Sequence, residues 1–153
     1  MSEQPDQAVV STRGARRWQG GHPWIFKSDI VRAPATPAGA VHVGDPSGRL
    51  LGTALWSPQS EISLRFVSTR DITLDTAWWR ARLAAAIARR DGIMDAHTNA
   101  CRLVHGEGDQ LPGLVVDRYG DYLGVQSLSL GIDQRIEWIL DLLQEVLKPR
   151  GII

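Results

Sequence analysis

From Val9 to Val67 the apolar residues come in short runs cut by Gly, Pro and Asp, and from Asp75 the pattern changes to a helical period. That switch limits the available folds more than any other feature of the chain. Runs too short for a helix and bounded by turn residues read as strands, and several in series read as a small β-barrel or sandwich. In Ile62-Ser63-Leu64-Arg65-Phe66 the period is two, which sets Ile62, Leu64 and Phe66 on one side of a strand and Ser63 and Arg65 on the other. Arg65 is therefore expected to point away from the core. Val41 and Val43 lead into Asp45-Pro46-Ser47-Gly48, whose Asp, Pro and Gly positions specify a type I turn, and Arg49 to Trp56 returns as the next strand.

In the helical stretch Trp79, Leu83, Ala86 and Ile87 share a face, while Arg80, Arg82, Arg89 and Arg90 lie largely elsewhere and read as a solvated surface. Asp75 is the predicted N-cap, and Gly92 can close the C-terminus in a left-handed conformation. Beyond the helix, Arg102 to His105, Leu114 to Asp117 and Leu123 to Leu128 read as strands, the last two joined by a II′ hairpin at Gly120-Asp121. Ile132, Ile136, Ile139, Leu140, Leu143 and Leu147 then mark one amphipathic helix, ended by Pro149 and Gly151, and Ile152-Ile153 looks like the start of a strand. The expected fold class is α+β: a β-barrel over residues 8–72, a connecting helix over 73–92, and an incomplete strand-strand-helix-strand module over 93–153.

At 153 residues the chain can bury a core as one domain or two small ones. It carries 17 basic and 17 acidic residues, so no global field announces a nucleic-acid partner, and any such site must be a local patch. The polar start Met1-Ser2-Glu3-Gln4-Pro5-Asp6-Gln7 is not a signal peptide, and no apolar run approaches the ~18 residues of a membrane span. A single cysteine, Cys101, cannot form an internal disulfide, which makes a reducing cytoplasm the expected compartment.

One local patch stands out. Arg17-Trp18-Gln19-Gly20-Gly21-His22-Pro23-Trp24-Ile25-Phe26-Lys27 gathers cations, two indoles and an imidazole around a glycine turn. Lys and Arg neutralise phosphates, Trp and His offer flat surfaces to unstacked bases, and the glycines let backbone approach a ligand. A plainer reading stays open, in which Trp24, Ile25 and Phe26 begin a core strand and the charges form its solvated rim.

Gly20-Gly21-His22-Pro23-Trp24-Ile25-Phe26, Asp45-Pro46-Ser47-Gly48-Arg49-Leu50-Leu51-Gly52, Ser60-Glu61-Ile62-Ser63-Leu64-Arg65 and the block from Arg102 to Asp121 follow one another in a recognisable order. In these residues the chain resembles the PUA-containing class I S-adenosylmethionine-dependent methyltransferases that make 5-methylcytosine in large-subunit (23S) ribosomal RNA. The resemblance runs from about Val9 to the last residue, and Leu111-Pro112-Gly113 is its most specific part. It implies a PUA barrel whose RNA face carries Arg13, Arg16 and Arg17 around a first short helix, then His22, Trp24 and Lys27, with Arg65 from a neighbouring strand. Trp24 has core packing as its alternative role, and His22 has bracing of the turn before Pro23. It also implies that this chain is an N-terminal fragment that binds ribosomal RNA and no cofactor, and that a Rossmann methyltransferase domain binding S-adenosylmethionine belongs to the parent enzyme. Missing strands would leave a sheet edge open to homo-oligomerisation.

Three rival chemistries are weaker. Gly106-Glu107-Gly108-Asp109 is the nearest approach to a cofactor-cradling glycine turn, but no Gly-x-Gly-x-x-Gly is present and Pro112 and Gly113 follow. Cys101 lacks an evident activating base and reads as a small residue beside a strand. His105, Glu107 and Asp109 alternate, so an extended segment would aim all three one way, as a metal-dependent hydrolase requires; the glycines between them favour a polar loop. A stand-alone PUA adapter that binds RNA is the remaining alternative.

Overall fold

The computed structural model describes residues 6–153. The chain divides into two compact units, the first ending at Thr73 and the second running from Leu74 to Ile153. The fold class is the expected α+β.

The first unit is built from β1 (Gln7–Val10), α1 (Thr12–Gln19), β2 (Trp24–Phe26), a 3-10 turn (Lys27–Asp29), β3 (Ile30–Arg32), β4 (Gly39–Gly44), β5 (Leu50–Trp56) and β6 (Ile62–Ser68). Its six strands pair in the order β2-β6-β5-β4-β1-β3, all antiparallel except β1 with β4. Laid flat, five strand spacings would separate β2 from β3 by about 24 Å, whereas the four-residue step from Phe26 to Ile30 reaches about 14 Å. The short 3-10 connection therefore forces the sheet to curl until its two edges approach. Inside the curl lie Val10, Trp18, Ile25, Val41, Val43, Ala54, Trp56 and Leu64, with Phe66 against them. Trp18, one of the two indoles in the glycine-turn segment, is a core residue: its N–H donates to the Leu51 carbonyl at 2.9 Å and its ring meets Phe66 edge-on at 4.7 Å.

The expected turn at Asp45 forms. Gly48 donates its N–H to the Asp45 carbonyl at 3.0 Å, and the Asp45 carboxylate accepts from the backbone of Ser47 and Arg49. Arg65 departs from expectation. Alternation predicts a solvent-facing cation, but Arg65 is only 9% exposed. The outer face of this part of the sheet is itself covered: cross-strand from Arg65, Leu55 is fully buried, and on the other side Trp24 lies opposite, with the guanidinium 5.8 Å from its ring centre.

The second unit contains α2 (Thr76–Ala88), β7 (Ala100–His105), a 3-10 turn (Gly106–Asp109), β8 (Leu114–Tyr119), β9 (Tyr122–Ser127), α3 (Leu130–Asp133), α4 (Ile136–Leu147) and β10 (Gly151–Ile152). The strands order as β10-β9-β8-β7, with β10 parallel to β9 and the rest antiparallel. Asp75 caps α2 as predicted, accepting from the Trp78 N–H at 2.8 Å, and Trp79, Leu83 and Ala86 form its buried face. Gly92 is left-handed, at φ 79°, four residues past the end of the helix, and Gly120 opens the β8-β9 hairpin at φ 58°.

Two expectations need correction here. The single amphipathic helix after β9 is broken: Ser129 caps the short α3, the backbone leaves the helical path at Arg135 (φ −117°), and α4 starts afresh with Ile139, Leu142 and Leu143 buried. The arginines of α2 and of the turn that follows it are not merely solvated. Arg80 makes a two-pronged pair with Glu145 at 3.0 and 3.2 Å, Arg82 lies over the Trp78 ring, and Arg89 and Arg90 both reach Asp109.

Candidate nucleic-acid interface

α1 is positioned by one buried carboxylate. Ser11 caps the helix by accepting from the Gly14 N–H at 3.0 Å, and its hydroxyl donates to Asp29 at 2.8 Å. Asp29, 1% exposed, also accepts from Arg13 at 2.8 Å and from Arg17 at 3.3 Å. Gly14 makes this approach possible, since a Cβ there would sit 3.1 Å from that of Asp29. Burial pushes the Asp29 carboxyl up, but the Ser11 hydroxyl and the Arg13 and Arg17 guanidinium groups outweigh it and hold the acid below its usual range.

From Arg17 a continuous run of flat groups crosses the surface. Its guanidinium lies 5.1 Å from the centre of Phe26; Phe26 and His22 are 6.3 Å apart, His22 and Trp24 are 6.1 Å apart, and Arg65 closes the run over Trp24. The turn that brings His22 here depends on Gly21 at φ 85°, a left-handed position suited to glycine, with the Gly21 and His22 N–H groups donating to the carbonyls of Trp18 and Arg17. His22 does brace this turn, since its Nδ1 accepts from the Trp24 N–H at 3.2 Å, yet the residue remains exposed. Trp24 is half-buried, unlike the enclosed Trp18.

Of the seven residues singled out from sequence, Arg13 and Arg17 thus meet on Asp29, while Arg17, His22, Trp24 and Arg65 belong to the aromatic run. Arg16, on α1, and Lys27, at the head of the 3-10 turn, are exposed. Sequence reasoning missed Phe26 and Asp29. Phe26 was recoverable, because it alternates with Trp24 along β2; Asp29 was not, because its partners lie 12 to 18 residues away.

In the second unit the Gly106–Asp109 turn gives no metal or cofactor site. Asp109, 2% exposed, is turned inward, accepting from Arg89 and Arg90 at 2.6 Å each and from the His105 N–H at 2.6 Å. Burial raises this acid, and the Arg90 guanidinium, the His105 N–H and Arg89 together bring it below the usual carboxylate range. With Asp109 so engaged, the alternation of His105, Glu107 and Asp109 does not converge on a metal, and among the described residues no group of three or more His, Cys, Asp or Glu side chains does. The metal-hydrolase reading is therefore withdrawn. Nor do these residues fit S-adenosylmethionine: the turn follows a strand but opens no α-helix, and its acid is tied to the two arginines rather than open to a ribose. Cys101 lies half-buried on β7 opposite Arg118.

The chain is similar to proteins of known family. Large-subunit ribosomal RNA methyltransferase I of Erwinia tasmaniensis is 35% identical over 127 residues, covering 80% of this chain and 32% of its own length. The large-subunit ribosomal RNA methyltransferase of Deinococcus radiodurans is 40% identical over 122 residues, covering 74% of this chain and 30% of its own. The chain thus spans about a third of the curated relatives it matches. A solved Streptococcus mutans structure assigned as a SAM-dependent methyltransferase superposes with a TM-score of 0.82 over 94% of this chain and 38% of its own, at 19% identity, a likeness of fold. The PUA-like domain family matches residues 9–69, the span of the curled sheet with α1 packed on it. The first unit of this chain is accordingly a PUA-like domain.

Proposed function

We propose that the chain is the RNA-binding N-terminal part of an S-adenosylmethionine-dependent methyltransferase that forms 5-methylcytosine in 23S ribosomal RNA. The observation that carries this reading is the run Arg17, Phe26, His22, Trp24 and Arg65 on a PUA-like domain, beside the guanidinium of Arg13. The named activity of the Erwinia and Deinococcus relatives supports the choice of ribosomal RNA. Ribosomal RNA as substrate makes the cytoplasm the working compartment. Arg13, Arg16 and Lys27 meet backbone phosphates, and Arg17 does so while stacked on Phe26. His22 and Trp24 receive unstacked bases, and Arg65 supports the indole from behind. S-adenosylmethionine and the transfer step belong to parts of the parent enzyme other than these residues. Filter binding to 23S rRNA fragments tests the assignment. Affinity should fall steeply between about 50 and 200 mM salt, and Arg16→Ala/Arg17→Ala should weaken it roughly tenfold. Binding that ignores salt, or that survives this double substitution intact, removes the proposal.

A further inference from the structure

The sheet of the second unit has one face under helices and one face open. Leu103, Val104, Val116 and Leu123 are buried, and α2 packs on β7. Register places Arg102 and His105 of β7, Asp117 and Tyr119 of β8, and Tyr122, Gly124 and Gln126 of β9 together on the opposite face. Tyr119 and Tyr122 face each other directly across the hairpin and are 59% and 46% exposed, among the largest exposed rings of the chain. Both lie along the sheet over glycines: a Cβ on Gly124 would be 3.5 Å from the Tyr119 ring, and one on Gly151 would be 3.2 Å from the Tyr122 ring. Two open hollows flank them. One of about 460 Å³ includes Tyr122, Gly124 and Gln126, and one of about 480 Å³ includes Arg102, His105 and Tyr119.

The charge on this face is set by one ion pair. Arg102 grips Asp117 through two bonds of 2.8 and 3.0 Å, and the guanidinium is 45% exposed while the carboxylate is 15% exposed. Solvent therefore meets the cation, and the acid serves to orient it. An open sheet face with adjacent exposed aromatic rings and one half-exposed guanidinium suits unstacked bases joined by a phosphodiester.

We propose that this face is a second RNA site, which takes two consecutive unpaired nucleotides of a single strand. The bases stack on Tyr119 and Tyr122, and the phosphate between or beside them is met by Arg102. His105 and Gln126 supply hydrogen bonds to base edges within the two hollows. The inference rests on the reading of the chain as an RNA binder, and it adds a stacking surface that depends less on charge than the PUA-like one.

The test uses the full chain with single-stranded 23S rRNA fragments carrying 4-thiouridine, photocross-linked and mapped by mass spectrometry. Cross-links within residues 117–126 are expected. Tyr119→Ala/Tyr122→Ala should weaken binding about tenfold or more with little change in salt dependence, and Tyr119→Phe/Tyr122→Phe should bind as the parent chain does. Unchanged affinity in the alanine pair, absence of cross-links from the sheet, or equal loss in the phenylalanine pair each overturns the stacking site. So does an alanine pair that loses affinity only by passing from dimer to monomer in sedimentation, which would assign the face to a second copy of the chain. Arg16→Ala/Arg17→Ala run alongside separates the two readings. If that variant alone loses affinity, only the second site fails; if the unaltered chain binds no RNA, the functional assignment fails with it.

Discussion

Each unit contains one buried aspartate gripping two arginines, and the two arrangements leave different surfaces behind. Asp29 in the first unit ties the start of α1 to the 3-10 turn, with Arg13 66% exposed and Arg17 31% exposed beside the Phe26 ring. Asp109 in the second unit ties the end of α2 to the Gly106–Asp109 turn, with Arg89 53% exposed and Arg90 18% exposed and also donating to the carbonyls of Arg102 and Ala86. The chemistry of the two anchors is the same, but Asp109 holds an Arg90 that also braces backbone carbonyls, whereas Asp29 holds an Arg17 presented at an aromatic ring. A buried carboxylate can therefore act as a joint or as a mount, and what its partners touch besides the acid decides which.

The largest expected effect comes from removing the joint. Asp109→Asn leaves the His105 N–H an acceptor but removes the negative charge that faces two guanidinium groups, and should cost about 3 kcal/mol in urea unfolding. Hydrogen exchange should locate the loss in residues 74–153, while the salt slope of RNA binding stays unchanged under native conditions. Asp29→Asn should cost less, about 2 kcal/mol, because Arg13 is already largely hydrated. It should also steepen the salt slope of RNA binding by about one phosphate contact, since both arginines then answer to phosphate alone. An Asp109 variant that alters the slope, or an Asp29 variant that does not, would erase the distinction between joint and mount.

Much of this architecture was legible in the sequence. Period-two alternation around Leu64, the Asp45-Pro46-Ser47-Gly48 turn and the Asp75 cap are local devices, and each appears where residue order alone places it. The misses share a cause. Arg65 obeys its alternation yet is enclosed, because a residue's own strand does not reveal what covers the outer face of a curled sheet. The break at Arg135 is hidden because apolar residues continue through it at near-helical spacing, and only the Ser129 cap gives a local hint. The two aspartates were misjudged for a related reason. Asp109 read as a possible ligand and Asp29 went unnoticed, since what defines both is a set of arginines distant along the chain.

Acid should act on both anchors at once, with a smaller effect than either substitution. Each carboxyl is held below its ordinary value of 3.8, so its contribution to stability is complete above that value and is lost as pH falls through the lowered one. The urea midpoint should stay level from neutral pH down to about pH 4 and then decline. In Asp109→Asn the decline should be shallower, with the larger remaining part in the first unit, where Asp29 and Asp45 are both held low. A midpoint that falls well above the unfolded carboxylate range would mean that some group other than these two governs acid stability.

The smallest effect expected is at Ser11, which performs two tasks with one hydroxyl. Its oxygen accepts from the Gly14 N–H at the start of α1 while its proton goes to Asp29, so Ser11→Ala removes a helix cap and one of the bonds that stabilise the ionised acid. Loss of a cap costs about 1 kcal/mol, and Ser11→Thr, which preserves both bonds, should restore most of it. Ser129→Ala offers the matching change in the second unit, where the hydroxyl lies 3.4 Å from the Ile132 N–H of a four-residue helix and touches neither aspartate. With the hydroxyl gone, Asp29 loses a donor and its carboxyl moves up, so the acid limb of Ser11→Ala should shift to higher pH while that of Ser129→Ala stays in place. Equal acid limbs in the two alanine variants would show that Asp29 draws its stabilisation from the arginines alone, and that the mount is electrostatic rather than a shared network of hydrogen bonds.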